Sequence, residues 1–243
     1  MSPPVNALEF TAVAKAYDSH AVLREVSLAV RAGEAVGLVG VNGAGKTTLI
    51  RAALDLCHID AGAIHIFGTP QYDPAARTRL GYLAERFSPP PFATGAELLR
   101  YLLALHAVDY DARAAAAEAA ALDLAVGVLG HPAHQYSKGM AQKLGLMACI
   151  LARRPLLVLD EPMSGLDPKA RALFKCRLAE LKSAGTTLFF STHLLQDVES
   201  LCDRIAVLDG GRMVFDGSPS TLIGDTAATN LEDAFLRCLE GVR

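Results

Sequence analysis

A glycine-rich segment after a short apolar run constrains the fold of this chain more than any other feature. The run Glu34–Val39 predicts a buried strand, and Lys46–Leu56 has the apolar spacing of a helix. Between them the residues GVNGAGKT, Gly40–Thr47, fit the pattern GxxxxGK followed by serine or threonine. Glycines let a backbone wrap around a bound group and point N–H groups at it. The segment therefore predicts a phosphate-binding loop in the first βα unit of an α/β fold.

The polar side chains of this loop have expected partners. Lys46 supplies a positive charge to the β and γ phosphates of a nucleotide, Thr47 offers a hydroxyl to Mg²⁺, and Thr48 offers a second hydroxyl nearby. The dipole of the following helix adds positive potential. The remaining predicted nucleotide contacts come from Asn42, Gly43 and Gly45. A chance glycine turn is the alternative, and the flanking strand and helix argue against it.

A second candidate site follows the apolar run Leu156–Leu159, which leads into Asp160 and Glu161. A buried strand delivers both carboxylates to its carboxyl end, where ligands bind in open α/β sheets. Asp160 is expected to hold Mg²⁺, and Glu161 to orient or deprotonate an attacking water. The alternative is an ordinary strand that ends in an acidic turn.

A third candidate site is the segment Tyr136–Met140, which precedes the helical stretch Ala141–Leu151. Ser137 and Gly139 at the start of a helix can form an N-cap and a second anion site. Taken by itself, the segment is better explained by a helix cap alone.

The rest of the chain alternates predicted strands and helices. Strands are expected at Leu8–Val13, Val22–Val30, Ala63–Phe67, Leu80–Leu83, Thr187–Ser191, Ile205–Leu208 and Met213–Phe215. Helices are expected at Lys169–Ser183, Leu194–Cys202 and Leu231–Leu239. The alanine- and leucine-rich stretch Thr94–Leu122 predicts inserted helices with a turn at residues 109–111.

Composition excludes several classes of protein. Of the 243 residues, 51% are hydrophobic and 20% charged, which is a globular balance, and the net charge of -3 gives no basis for binding nucleic acid. Five scattered cysteines without a CxxC pair suit reduced thiols in the cytosol. No apolar run is long enough for a membrane helix, and the N-terminus lacks the pattern of a signal peptide. We therefore expect any membrane-spanning segment to belong to another chain.

Taken together, the segments resemble the nucleotide-binding subunit of an ATP-binding cassette (ABC) transporter of the ABC-2-type branch. Gly40–Thr48 is similar to the Walker A loop, and Leu156–Glu161 to the Walker B segment. Ser164–Asp167 is similar to the family's D-loop, and His193 to its switch histidine. Tyr136–Met140 stands where the family has its signature segment, and Tyr17 where it has the aromatic residue that stacks on adenine.

The resemblance implies the architecture and the activity. It implies a P-loop NTPase with a RecA-like α/β core, an N-terminal antiparallel β subdomain and an inserted α-helical subdomain at about residues 87–150, in one domain over residues 1–243. It implies ATP hydrolysis with Mg²⁺, with Tyr17 stacked on adenine and His193 at the γ-phosphate. Ser137 and Gly139 would cover the nucleotide of a second copy in a head-to-tail homodimer. The subunit would sit at the cytoplasmic face of the inner membrane and drive separate permease subunits, by ABC-2-type export.

Two segments depart from the family pattern. Glu85 stands where the Q-loop usually has glutamine, and a carboxylate there can still bind Mg²⁺ but cannot donate a hydrogen bond as an amide does. The signature is YSKGM instead of LSGGQ, so Lys138 adds a positive charge and Met140 replaces a polar residue.

Two other classes of P-loop protein share part of this pattern. A soluble ABC ATPase with a role in assembly, repair or translation is the first alternative, and a P-loop kinase or GTPase the second, although no guanine-recognition motif is present. His131 and His134 have metal-ligand spacing, but without a third ligand we expect no metal there.

Overall fold

The computed structural model of the protein describes residues 5–241. Residues 1–4, at the start of the N-terminal segment that lacks a signal-peptide pattern, lie outside this range. Its strands are β1 (Asn6–Tyr17), β2 (His20–Arg31), β3 (Ala35–Val39), β4 (Ala61–Ile66), β5 (Thr69–Pro70), β6 (Leu80–Leu83), β7 (Leu156–Leu159), β8 (Thr187–Thr192), β9 (Arg204–Asp209) and β10 (Arg212–Gly217). Its helices are α1 (Lys46–Ala53), α2 (Pro74–Arg77), α3 (Gly95–Leu105), α4 (Ala112–Ala121), α5 (Lys138–Leu151), α6 (Pro168–Ser183), α7 (Leu195–Leu201), α8 (Pro219–Asp225) and α9 (Leu231–Glu240).

The described strands form two sheets. The central sheet has the order β10-β9-β3-β8-β7-β6, and all its strands are parallel except β10, which forms a hairpin with β9. The second sheet is antiparallel and has the order β2-β1-β4-β5. A parallel core with an antiparallel sheet beside it confirms the predicted fold class.

Alternation along the central strands divides the apolar core. On β7, Leu156 and Val158 pack with α1 and the antiparallel sheet, whereas Leu157 and Leu159 face the core that contains α5 and α6. The rings of Phe10 and Phe189 join the two sheets with centroids 5.9 Å apart. Full burial of one such side chain stabilises the fold by about 1.5–3 kcal/mol. Because both faces are covered, the central strands β3, β7 and β8 are mostly apolar, as is typical of parallel strands, and the polar residues of β8 lie at its two ends.

The inserted helices lie between β6 and β7. α3 begins at a capping box in which Thr94 and Glu97 bond each other's backbone N–H groups. α3, α4 and α5 share one apolar core with one face of the central sheet. The signature helix α5 approaches β6 so closely that a Cβ on Gly145 would lie 2.5 Å from Leu83 Cδ1. The insertion is thus packed directly against the strand that precedes Glu85.

Several predicted bounds were wrong. Helix α1 ends at Ala53 rather than Leu56, because Asp55 turns into the left-handed region with a φ of 58°. The connection after α3 already begins at His106, and it includes the predicted turn at residues 109–111. Helices α2 and α8 were missed, although each starts with a capping residue followed by proline, Asp73-Pro74 and Ser218-Pro219.

Candidate functional site

The carboxyl ends of four neighbouring parallel strands meet at one edge of the central sheet. β6 leads into Glu85, β7 into Asp160 and Glu161, β8 into His193, and β3 into the glycine loop. The strand order β3-β8-β7-β6 places these four segments side by side. Residues far apart in the chain therefore converge on one site, as expected at the ligand-binding edge of an open α/β sheet.

A cleft of about 590 Å³ opens at this edge. It is lined by Tyr17, His20, Val22, Asn42, Gly43, Ala44, Gly45, Lys46, Thr47, Thr48, Glu85, Glu161, Ser164 and His193. The structure thus brings together the predicted loop residues, the aromatic, the glutamates and the histidine. Asp160 lies at the floor of the same site, 2% exposed.

The glycine loop has the backbone geometry that its sequence predicts. Gly45 has a φ of 110°, which only glycine adopts without strain. A Cβ on Gly40 would lie 2.3 Å from the carbonyl oxygen of Leu208, so no larger residue fits. Among residues 5–241 no side chain caps the start of α1. The first N–H groups of this helix therefore keep their donor capacity for an anion.

Lys46 is buried within the loop, with 7% of its surface exposed. Its ammonium donates to the carbonyl oxygen of Gly40 at 2.6 Å and lies 3.3 Å from that of Val41. Burial lowers the pKa of Lys46, and the nearby carboxylates of Glu161, Asp160 and Glu85 oppose this effect. A buried ammonium bonded to carbonyl oxygens lies where it can meet a phosphate.

Asp160 is held by two hydroxyl groups. Ser191 Oγ donates to Asp160 Oδ1 at 2.6 Å, and Thr47 Oγ1 lies 3.4 Å from the same oxygen. The Thr47 hydroxyl and the Asp160 carboxylate are hard oxygen donors of the kind Mg²⁺ prefers. Their proximity to the phosphate loop fits a nucleotide-bound metal ion.

Glu161 lies between a cation and the predicted switch residue. Its Oε2 is 2.8 Å from His193 Nδ1, and its Oε1 is 3.9 Å from Lys46 Nζ. Its backbone adopts a φ of 44°, uncommon for a residue with a side chain, and its N–H donates to Ser191 Oγ at 2.9 Å. The carboxylate is therefore oriented from both sides in the cleft.

Glu85 is half-buried and lines the cleft. The chain reaches it from β6, whose last residue, Leu83, accepts the N–H of Asp160 at 2.8 Å. Gln142 of α5, 1% exposed, points its amide at the carbonyl of Ala84 at 3.4 Å. The two residues before Glu85 are therefore joined by hydrogen bonds to the end of β7 and to the signature helix.

Tyr17 ends β1 at the rim of the cleft. The residue is 47% exposed, and the ammonium of Lys15 lies 5.1 Å from the ring centroid. An exposed aromatic ring at the mouth of a phosphate site can stack on a planar base.

Ser137 and Gly139 lie apart from the phosphate loop of their own chain. Ser137 caps α5, with its Oγ accepting the N–H of Met140 at 3.2 Å, and it lines a separate groove with Arg86 and Phe87. A Cβ on Gly139 would meet nothing nearer than Leu166 Cδ2 at 3.6 Å. Packing within the described chain does not require glycine at this position.

Lys138, one of the departures from the family pattern, lies against a neighbouring loop. A Cβ on Gly165 would lie 2.9 Å from Lys138 Nζ and 3.2 Å from its Cδ. The lysine thus extends over Gly165, in the segment similar to the D-loop, and joins it to the start of α5.

His134 has a local partner. Its Nδ1 is 2.9 Å from the carbonyl oxygen of Pro91, and its ring meets that of Phe92 edge-on. Within residues 5–241 no group of three histidine, cysteine or acidic residues could hold a metal ion.

Sequence reasoning missed the contributions of Ser191 and His20. Ser191, 0% exposed, joins Asp160 to Glu161, and His20 lines the cleft, as does Ser164 of the segment similar to the D-loop. The signal for Ser191 was a polar residue at the carboxyl end of an apolar strand, two positions before His193. Nothing comparable marked His20, which reaches the site from the hairpin between β1 and β2.

Comparisons with known proteins agree with this geometry. The sequence model of the family described as ABC transporter matches residues 23–164. An uncharacterized ABC transporter ATP-binding protein of Synechocystis is 38% identical over 84% of this chain, and one of Nostoc 39% identical over 83%. The chain spans 58% and 61% of the lengths of these two relatives. A Nod factor export ATP-binding protein I of Burkholderia orbicola is 38% identical over 89% of this chain and 72% of its own length.

Solved structures support the same assignment. A structure described as the ATP binding subunit of an ABC transporter superposes on this protein with a TM-score of 0.86 at 28% identity. The superposition covers 96% of this chain and 99% of the other. A dimeric ATP-binding cassette described as bound to ADP and phosphate has a TM-score of 0.80 at 21% identity, over 87% of this chain and 98% of its own, which supports the fold. The chain therefore belongs to the ABC transporter family, among its ATP-binding subunits.

Proposed function

We propose that this protein hydrolyses ATP and uses the energy to drive transport through separate membrane subunits. The observation that carries the proposal is the convergence of Lys46, Asp160 and Glu161 with His193 at the edge of one sheet. A phosphate loop with a buried lysine binds the substrate, and a carboxylate held by a histidine supplies the base.

Binding uses the loop and the rim of the cleft. The N–H groups at the start of α1 and the ammonium of Lys46 bind the β and γ phosphates, with Asn42, Gly43, Gly45 and Thr48 around them. Tyr17 stacks on the adenine. Thr47, Asp160 and Glu85 would hold Mg²⁺, which neutralises charge on the phosphates when bound.

Hydrolysis uses the pair at the ends of β7 and β8. Glu161 accepts a proton from the attacking water. The oxygen of that water bonds to the γ-phosphorus while the bond from the γ-phosphorus to the β-phosphate oxygen breaks, and ADP is the leaving group. His193 orients the Glu161 carboxylate through its Nδ1 and contacts the γ-phosphate.

A second copy of the chain completes the site. Ser137 and Gly139 do not line the cleft of their own chain, and nothing in the described packing requires Gly139. We assign both to the nucleotide held by a second copy, in a head-to-tail homodimer with two sites. Residues 1–243 then form one cassette, with the helical subdomain at about residues 87–150.

Transport is supported by the names of the relatives, which describe ABC transporter ATP-binding proteins and, for Burkholderia, Nod factor export. Within residues 5–241 no helix has both the length and the apolar character needed to cross a membrane. We assign the protein to the cytoplasmic face of the membrane, bound to permease subunits, in an exporter of the ABC-2 type. A soluble role in assembly, repair or translation has no specific observation in its favour.

One experiment tests this function. The tagged chain is purified from detergent-solubilised membranes of its own cell, and the Mg²⁺-dependent ATPase rate is measured with and without the proteins that accompany it. Co-purification of a polytopic membrane protein with ATPase activity is expected. ATPase activity without any membrane partner would contradict transport, and absence of ATPase activity in both samples would contradict the catalytic assignment.

A further inference from the structure

The Ser191 hydroxyl acts as both donor and acceptor in hydrogen bonds to two consecutive acidic residues, Asp160 and Glu161. This residue lies near the end of β8 and is completely buried. Its Oγ donates to Asp160 Oδ1 at 2.6 Å and accepts the backbone N–H of Glu161 at 2.9 Å. One side chain on the neighbouring strand thus fixes both residues that follow β7.

The hydrogen bond to the Glu161 N–H stabilises an otherwise unfavourable backbone conformation of that residue. At a φ of 44° Glu161 lies in the left-handed region, which costs free energy for a residue with a Cβ. Its N–H is satisfied in this conformation by Ser191 Oγ. Loss of the hydroxyl would leave the half-buried Glu161 amide without this partner, and the orientation of the Glu161 side chain would be less restricted.

The bond to Asp160 fixes the plane of that carboxylate. Ser191 donates to Oδ1, the same oxygen that faces the Thr47 hydroxyl at 3.4 Å. A carboxylate held at one oxygen cannot rotate freely, so its second oxygen keeps one direction. The hydroxyl thereby orients a residue that faces the phosphate loop.

The same strand end also holds the Glu161 side chain. His193, two residues beyond Ser191, contacts Glu161 Oε2 at 2.8 Å. Backbone and carboxylate of Glu161 are therefore both held from β8. We infer that Ser191 is a positioning residue for hydrolysis, a role that rests on the proposed functions of Asp160 and Glu161.

Replacement of Ser191 by alanine tests the inference. Ser191→Ala should lower kcat at least about 10-fold, the loss expected for a hydrogen bond to a charged group, with an unchanged KM for ATP. In the protein without nucleotide and Mg²⁺, hydrogen exchange at the Glu161 amide should become faster. Ser191→Thr, which keeps the hydroxyl, should restore slow exchange and most of kcat.

A buried hydroxyl on the same strand provides the matched control. Thr187, 1% exposed, accepts the N–H of Gly33 at 2.9 Å and lies away from the cleft. Thr187→Val should lower thermal stability and leave both kcat and Glu161 exchange as in the wild type. If Ser191→Ala does not fold, Ser191→Cys replaces it, because a thiol keeps nearly the same volume but donates weakly.

The outcomes distinguish a failure of the positioning role of Ser191 from a failure of the proposed base. The inference would be overturned if Ser191→Ala had the kcat of the wild type and the same hydrogen-exchange rate at the Glu161 amide. It would also be overturned if kcat fell equally in Thr187→Val, because a loss of stability would then explain the lower kcat of both variants. Turnover retained by Glu161→Gln would instead overturn the proposed base, on which the inference rests.

Discussion

The imidazole of His193 and the carboxylate of Glu161 meet at 2.8 Å between Nδ1 and Oε2, across the ends of two neighbouring strands. The other carboxylate oxygen lies 3.9 Å from the Lys46 ammonium. Glu161 is therefore held between the phosphate loop and the strand that carries His193. A shift of either element alters the position of the proposed base, which links nucleotide contacts to catalysis.

Glu161→Gln should bind ATP normally and lose turnover at least about 100-fold, because an amide cannot accept the proton of water. With ATP it should accumulate as a dimer in size-exclusion chromatography. The exposed Glu199 on α7 offers the control Glu199→Gln, which should behave as the wild type. A turnover of Glu161→Gln within a factor of two of the wild type, about 0.4 kcal/mol, would falsify its role as base.

Lys46→Ala should weaken ATP binding at least about 10-fold, because it removes a charge-assisted bond to phosphate. Isothermal titration calorimetry measures the dissociation constant directly. Lys169, with 72% of its side chain exposed in an ion pair with Asp123, serves as the control in Lys169→Ala. An unchanged affinity in Lys46→Ala would rule out the proposed phosphate contact.

Gly139→Ala should leave the fold intact or stabilise it by about 0.5–1 kcal/mol, the difference between the two residues in a helix. A Cβ has room there, with its nearest neighbour at 3.6 Å. ATP-dependent dimerisation and turnover should nevertheless fall, because in the proposed dimer the added methyl group would face the second copy. Gly224→Ala on α8, where a Cβ also meets nothing in the described chain, should stabilise without either loss.

Ser137→Asp complements this test, since aspartate keeps the N-cap of α5 but brings a negative charge towards the phosphates of the second copy. Thermal stability should stay near that of the wild type, and the dimer with ATP should be lost. Normal dimerisation of Ser137→Asp would mean that Ser137 is a helix cap and nothing more.

Glu85→Gln introduces the residue usual in the family. ATP binding should persist, and the Mg²⁺ concentration for half-maximal turnover should rise several-fold, because a carboxylate binds the ion more strongly than an amide. A titration of ATPase rate against Mg²⁺ gives this value, with Glu232→Gln on α9 as the surface control. An unchanged Mg²⁺ requirement would remove Glu85 from the proposed ligands.

Stability should fall at alkaline pH, in part through a thiol in the signature helix. Burial raises the pKa of Cys149 from 9.0 to about 12. Because the folded pKa is the higher one, this contribution is complete below about pH 9 and is lost as the pH rises towards 12. Chemical denaturation at a series of pH values should show a shallower alkaline decline for Cys149→Ala, and no change for the exposed Cys176→Ala. Equal slopes in all three proteins would contradict this assignment.

The sequence by itself determined the chemistry that is local in the chain. The glycine loop is contiguous, and its function depends on backbone freedom at Gly40 and Gly45 and on the side chain of Lys46, so its pattern was sufficient. The acidic pair after β7 and the cap at Ser137 were predictable for the same reason, because each is defined by the residues beside it. The end of α1 was not, since Asp55 shows no sign of its left-handed turn in the sequence.

Only the tertiary structure decided which distant residues meet. Strand order brings β8 between β3 and β7, and the parallel register pairs Leu159 with Phe190, so that Ser191 reaches Asp160 and the backbone of Glu161. A shift of one residue would turn that hydroxyl to the other face of the sheet. The same geometry keeps Ser137 and Gly139 out of their own cleft. Pairing and register depend on packing summed over the whole core, and no short segment of sequence encodes them.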